Sequence, residues 1–363
     1  MDGQTASPWA DSVTSRWVES AVQVSAESFD GEYFCTTVAW TRAWENIRSE
    51  HVTAARHLAL EGGPVSELVP YFLVDHSPLW SVYEETAGVS PIWTGPVVYS
   101  STIYGEHGGI GGSSPEYRAL AVDLGLEQTA RWGAEALVFT NLTPADLEAW
   151  SDVRPAGVPV ILDKKYAAPV GGSHEAFLSR MRGKTRREFV RQWRRAVDSG
   201  VRLRIAHGAE VMRYVDEFTA LAVDAAEKHG DNLYGVDQVS SVIDVPGTVL
   251  LVAEHDGRMV GAFYGFLYRG RLALVIAGID FDRLTELNIY GFLMYESLSY
   301  AVAQGAEVLD VGRCNFQYKE RHGFRGTQLW GLAYFPEDRP DLRAALELMD
   351  KGMQEYIARK SSE

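Results

Sequence analysis

Three apolar, strand-forming runs at residues 248–254, 259–268 and 271–279 are separated by little more than Asp256-Gly257 and Arg269-Gly270. Two-residue turns ending in Gly between such runs dictate antiparallel hairpins, so this stretch has to fold as a meander. A long apolar helix pattern over 288–304 and a short strand at 308–311 follow. The first half of the chain repeats this order. Strand-like runs at 54–60, 68–74 and 97–104 precede a glycine-rich segment. A helix at 116–132, a strand at 136–141 and a helix capped by Thr143 with Pro144 at its first position come next.

The expected fold is therefore α/β of the α+β kind: two tandem domains, each a mixed, mainly antiparallel twisted sheet flanked by helices. No repeat of 20 to 50 residues is visible, which excludes a solenoid. Pro/Gly punctuation at 163–173 reads as an interdomain connection. The expected division is 1–165 for the first domain, 166–200 for a connecting helix, 201–337 for the second domain and 338–363 for a C-terminal helix. Near the N-terminus, 16–24 reads as a strand and 37–48 as a helix that sends Trp40 and Trp44 into the core.

Charge is distributed unevenly. The chain carries −15 overall, yet residues 180–204 hold ten Arg and Lys against Glu188 and Asp198, a local +8 that leaves −23 for the rest. Arg180, Lys184, Arg187, Arg191 and Arg194 recur at three- and four-residue steps, with Phe189, Trp193 and Val197 opposite them. The helix is thus amphipathic, with a cationic outer stripe. Such a stripe is either a solvated face or a seat for phosphates. Two cysteines, Cys35 and Cys314, form neither a disulfide framework nor a ligand pair, and the histidines lack metal-ligand spacing, so no metal is expected. An acidic N-terminus and the absence of any membrane-length apolar run point to a cytoplasmic protein without a membrane span.

Two segments are dense in polar groups. After the strand ending at Gly312 come Arg313, Asn315, Gln317, Tyr318, Lys319, Glu320, Arg321 and His322, then Gly323-Phe324 and a second strand. Polar side chains converging at a strand end suggest a site, although a solvated loop has the same composition. Lys319 reads either as a donor for a developing oxyanion or as a surface lysine paired with Glu320. Cys314 with His322 is the nucleophilic alternative. The other segment, 105–115, contains His107, Gly109 and Gly111 between a strand and a helix. It reads either as a cradle for a ligand or as a tight turn.

Three passages resemble the Fem-type aminoacyltransferases of the GNAT superfamily and their peptidoglycan-biosynthesis-like relatives. They are the Arg-rich helix 177–196 leading into Gly200-Val201, the hairpin 251–262, and residues 295–301 with Gln317-Tyr-Lys-Glu-Arg-His-Gly-Phe324. The resemblance implies an acyltransferase that forms an amide by moving an aminoacyl or acyl group onto a primary amine of a small molecule or peptide. It implies that Lys319 and Tyr318 are catalytic, and that Phe324, Arg313, Asn315, His322 and Tyr295 meet substrate. His107, Gly109 and Gly111 would hold the acceptor. Arg180, Lys184, Arg187, Arg191 and Arg194 would meet the phosphates of an aminoacyl-tRNA co-substrate, with no covalently bound cofactor. A coenzyme A thioester, an acyl carrier protein as donor, and a non-catalytic binding protein are the alternatives. The pyrophosphate signature Arg/Gln-x-x-Gly-x-Gly/Ala is absent before the helix at 288, and Glu106 occupies its cationic position in the first half.

Overall fold

The computed structural model describes residues 13–62, 65–109, 114–227 and 235–362. Gly111 and the extreme N-terminus lie outside them. The chain forms two compact units, 1–162 with 328–356 and 163–327 with 357–363.

The first unit contains β1 (Thr14–Val18), α1 (Ala26–Phe29), α2 (Val38–Trp44), β2 (Val52–Glu61), β3 (Glu67–Val74), α3 (Pro78–Ala87), β4 (Val97–Ser100), α4 (Pro115–Arg131), β5 (Leu137–Leu142) and α5 (Pro144–Val153). Strand β6 (Val158–Pro169) starts here and ends in the second unit. One local code starts three of the helices. Ser77, Ser114 and Thr143 each precede a proline, and each hydroxyl accepts from a backbone N–H three residues on. The sheet runs β1-β2-β3-β4-β5, antiparallel except for the parallel pair β4–β5. Leu58, Val69, Tyr71, Tyr117, Phe139 and Trp150 fill the core beneath it.

The second unit contains α6 (His174–Leu178), α7 (Gly183–Asp198), β7 (Arg202–His207), α8 (Val215–Glu227), α9 (Val236–Ser241), β8 (Thr248–His255), β9 (Arg258–Tyr268), β10 (Arg271–Ile279), α10 (Leu284–Leu287), α11 (Ile289–Ala303), β11 (Val308–Arg313) and α12 (Phe316–Arg321). Strand β12 (Arg325–Tyr334) returns to the first unit, where it pairs antiparallel with β5, and α13 (Pro340–Ser362) follows. The expected meander is β8-β9-β10. Both residues of each turn, Asp256-Gly257 and Arg269-Gly270, have positive φ, which is the type I′ geometry that right-twisted hairpins need. Strand order is β6-β11-β10-β9-β8-β7, with β10 and β11 parallel.

Several sequence expectations shift. The strand expected at 16–24 stops at Val18, because Ser20 caps a 3-10 turn at Ala21–Gln23. The strand expected at 97–104 stops at Ser100, where Ser101 turns to φ 63°. Most of the segment read as a connection, 163–173, is strand β6. The basic helix is broken after Leu178, so Arg180 lies between α6 and α7 and off the α7 stripe.

Glu67, the first residue of β3, is 5% exposed, and neither carboxyl oxygen has a hydrogen-bond partner. Burial pushes its carboxyl up to about 8 against the opposing pull of Arg118. The proton is therefore bound more tightly folded than unfolded. Stability from this group is complete below the ordinary value of 4.5 and is lost as pH rises through about 8. Glu67→Gln is expected to stabilise the protein by on the order of 2 kcal/mol at pH 9 and by almost nothing at pH 4, as read from urea unfolding at both values.

Candidate acyl-transfer site

The polar stretch after β11 is partly helical. Cys314 and Asn315 both take the left-handed conformation, at φ 62° and 50°, and this turns the chain into α12. Phe316 and Lys319, three residues apart, share the buried face, at 5% and 2% exposure. Lys319 Nζ donates to the carbonyls of Gly312, at 3.1 Å, and Arg313, the last two residues of β11. Its neighbour Glu320 binds elsewhere, accepting from Lys164 Nζ at 2.8 Å and from the Tyr166 hydroxyl at 2.9 Å. The surface Lys319–Glu320 pair considered from sequence is thus replaced by a Lys164–Glu320–Tyr166 cluster, with Lys319 turned inward. The Lys164 and Lys319 ammonium groups lie 5.1 and 5.8 Å from the centre of the Tyr166 ring. Burial raises the Asp163 carboxyl, and Arg313 and Lys319 oppose that shift.

Strands β10 and β11 pair only from Arg271 opposite Val308 to Ala273 opposite Asp310, although β10 continues to Ile279. On its other edge, β10 has a register shift between Leu274 and Ile276. The two parallel strands therefore part toward their C-terminal ends. Gly312 and Arg313, whose carbonyls hold Lys319, stand at the β11 end of that opening.

Beside Lys319, the Tyr318 ring stacks on His322 at 3.9 Å and meets Tyr290 edge-on at 5.1 Å. The Tyr318 hydroxyl is buried without a hydrogen-bond partner, and burial raises its pKa. Tyr290 is pushed up to about 12 by burial, while a hydrogen bond with Asn315 pulls the other way. His322 Nδ1 donates to the Tyr318 carbonyl at 2.6 Å, and burial lowers its pKa, so the ring is neutral near pH 7. Lys319, Tyr318, His322, Arg313 and Asn315 thus come together. Phe324 and Tyr295 pack toward α6 and α7: Phe324 lies 5.5 Å from Phe177, and Tyr295 stacks on Trp193 at 4.6 Å. Sequence reasoning missed Asp163, Lys164 and Tyr166, which sit in a stretch read as a connection. The nearly continuous apolar run of 158–162 was the signal that a strand begins there.

Helix α7 presents Lys184, Arg187, Arg191 and Arg194 to solvent and buries Phe189 and Ala196. It is tied to α11, where Trp193 Nε1 donates to Glu296 at 2.7 Å and a Cβ on Gly291 would come 2.6 Å from Gln192. Arg191 pairs with Glu188. Arg180 is occupied locally, donating to the Val170 carbonyl at 3.0 Å across the Phe177 ring.

In the first unit, His107 and Gly109, which follow β4, lie against Asp146 of α5. His107 is 6% exposed, stacks on Tyr33 at 4.0 Å, and brings Nε2 to 3.3 Å from an Asp146 carboxylate oxygen. Asp146 also accepts from the Thr143 hydroxyl and backbone N–H. Burial alone would raise the Asp146 carboxyl, but the hydrogen bonds from His107 and Thr143 bring it down to about 2. A Cβ on Gly109 would lie 2.8 Å from Asp146 and 2.9 Å from His107, so only glycine lets the backbone pass there.

Residues 183–320 match the family described as the acetyltransferase (GNAT) domain. That span of the chain is a GNAT-type domain. The span runs from the start of α7 to Glu320, so it takes in the basic helix, the β8-β9-β10 meander, the parting strands and Lys319. No curated protein matches the sequence. Among solved structures, FemX is similar at 9% identity over 81% of this chain and 90% of that one, with a TM-score of 0.59. The C-terminal domain (DUF2156) of a putative lysylphosphatidylglycerol synthetase from Agrobacterium fabrum is similar at 13% identity over 78% and 84%, with a TM-score of 0.53. L-PGS from Bacillus licheniformis is similar at 11% identity over 78% and 86%, with a TM-score of 0.51. At such identities these likenesses speak to the fold. Among the described residues no helix is long and apolar enough to cross a membrane, and no group of three or more His, Cys, Asp or Glu is placed to hold a metal ion.

Proposed function

We propose that the protein forms an amide by moving an aminoacyl group from an aminoacyl-tRNA to a primary amine of a small molecule or peptide. Lys319 faces the oxyanion, and Tyr318 stands beside it as the other catalytic residue. The observation that supports this most is the Lys319 ammonium, buried and held by two carbonyls at the end of β11, beside the opening between β10 and β11. A fixed cation in a water-poor site acts on a developing oxyanion far more strongly than one in solvent. His322, Asn315, Arg313, Phe324 and Tyr295 meet the substrate around it. The α7 stripe of Lys184, Arg187, Arg191 and Arg194 takes the donor's phosphates, with Arg180 at its margin. The first unit's loop, with His107, Gly109 and Gly111, holds the acceptor. Domain limits of 1–165, 166–200, 201–337 and 338–363 are the working division, and the cytoplasm is the working location.

The parting of β10 from β11 also favours a second reading, in which the donor is a coenzyme A thioester or a carrier-protein thioester whose extended arm enters between the strands. The acids at Asp280, Asp282 and Glu286, shortly before α11, disfavour a pyrophosphate at that end. To separate the readings, the protein is incubated at low salt with a mixed pool of radiolabelled aminoacyl-tRNA, or with acetyl-coenzyme A, and deacylation of each is followed. Faster loss of aminoacyl ester supports the first reading. Thioester turnover without tRNA binding overturns it.

The loop gives a separate expectation. Gly109→Val should raise the acceptor KM by about tenfold and leave the donor KM unchanged, because the added Cβ strikes His107 and Asp146. A change confined to the donor KM would move the loop's role to the donor side.

A further inference from the structure

The second unit contains a cavity of about 450 Å³ that shares no residue with the acyl-transfer site. It lies at the other end of the sheet. Its wall includes Leu267, which pairs with Leu272 near the start of β10, whereas β10 and β11 part beyond Ala273. Its volume falls in the range of roughly 300–1,000 Å³ usual for small-molecule sites. We infer that this cavity binds a small organic cation, an ammonium group carried on an apolar body. The inference is independent of the acyl-transfer reading, because every residue it uses belongs to the second unit and none to α12.

Charge decides the class of ligand. Asp244 lines the cavity from its exposed rim, and among the described residues its carboxylate has no hydrogen bond or ion pair. Among the described residues no Lys or Arg lines the wall. The last turn of α11 contributes Tyr300, with Gln304 as its C-cap, and holds no basic residue, so it presents the negative end of a 15-residue helix dipole. Carboxylate and dipole both favour a cation over an anion.

Tyr300 supplies the polar contact deeper in the wall. It is only 6% exposed and burial raises its pKa, so the phenol keeps its proton, yet among the described residues its hydroxyl has no hydrogen-bond partner. A buried hydroxyl that lines a cavity without a protein partner is a group for a ligand to satisfy, and its oxygen can accept from an ammonium N–H. The His207 ring stands 5.9 Å from the Tyr300 ring, and Ile243 and Leu267 add apolar surface for the body of the ligand. The rim that carries Asp244 is held in place. The Thr248 hydroxyl donates to the carbonyls of Val242 and Val245, at 3.2 and 2.8 Å, and the Leu267 N–H donates to the Gly247 carbonyl at 2.7 Å. A wall already fixed loses little freedom when a ligand enters.

The test titrates the full-length protein with benzylamine, benzyl alcohol and benzoate at low salt and about pH 8, where the amine is still an ammonium, and follows the backbone amides by NMR. Benzylamine is expected to shift the amides of His207, Asp244 and Gln304 saturably. Benzyl alcohol, the same body without the charge, is expected to bind at least about tenfold more weakly, and benzoate to leave those amides unmoved. Asp244→Asn is expected to weaken benzylamine about tenfold and Tyr300→Phe about threefold. Equal affinity for amine and alcohol, an unchanged affinity in Asp244→Asn, or shifts confined to the first unit overturns the site. Should Tyr300→Phe disturb the fold, the exposed Asp244→Asn change and the three probes on the unaltered protein still decide.

Discussion

Replacing Lys319 by Ala is expected to lower kcat by at least about a hundredfold while KM for either substrate changes little, since an oxyanion exists only beyond the ground state. The structure adds a complication that the sequence hid. Lys319 also satisfies the carbonyls of Gly312 and Arg313, so its loss leaves two strand-end acceptors short and should cost roughly 1–3 kcal/mol of stability. Activity must therefore be compared at a temperature where both proteins are folded. Lys319→Arg should recover little, because a planar fork cannot sit between the same carbonyls. A decisive rescue is available: in a Cys314→Ser background, Lys319→Cys followed by aminoethylation returns an ammonium at nearly the original reach. Recovery of kcat would tie the rate to that charge, whereas near-normal kcat in Lys319→Ala would remove Lys319 from the chemistry. Glu320→Ala is a poor bystander control, since Glu320 binds Lys164 and Tyr166. Gln317→Ala serves better.

The second large effect concerns α7. Reversing Arg187, Arg191 and Arg194 to Glu together should weaken tRNA binding by about a thousandfold at low salt and flatten the dependence of log K on log salt, because each lost phosphate contact releases fewer counterions. Within that set Arg191 should matter least, as Glu188 already engages it, and Glu188→Gln should tighten binding. An unchanged affinity and slope, measured by filter binding from 50 to 300 mM salt (~0.05–0.3 M), would leave the stripe as a solvated face.

Where local chemistry decides structure, the sequence was readable. The Asp-Gly and Arg-Gly turns set the meander, and the Thr143-Pro144 start of α5 is where the capping pattern puts it. The same pattern at Ser77-Pro78 marks α3, which periodicity alone did not reveal. What stayed hidden depended on contacts far apart in the chain. Lys319 reads as a surface residue until Phe316 shows which face of α12 is buried, and Asp146 gains its meaning only from His107, which lies 39 positions earlier. Strand β6 was masked by Lys164, Lys165 and Pro169, whose polarity and punctuation resemble a connection. Within β6, Lys165 faces the buried Asp310 at 3.5 Å, a pairing that no spacing in the sequence announces.

The path of the chain through its two units bears on how the protein is made. Residues 163–327 interrupt the first unit, whose β12 and much of α13 come from 328–356. During synthesis from the N-terminus, β5 has β4 on one edge but waits for β12 on the other, and Leu332 and Tyr334 are missing from the core around Phe139 until residues 328–334 have left the ribosome. The unit begun first thus stays open while all the strands that lie wholly within the second are being made. A nascent chain stalled near residue 327 would expose an unfinished sheet edge, so a chaperone that shields strands should be engaged by that intermediate and released once β12 docks.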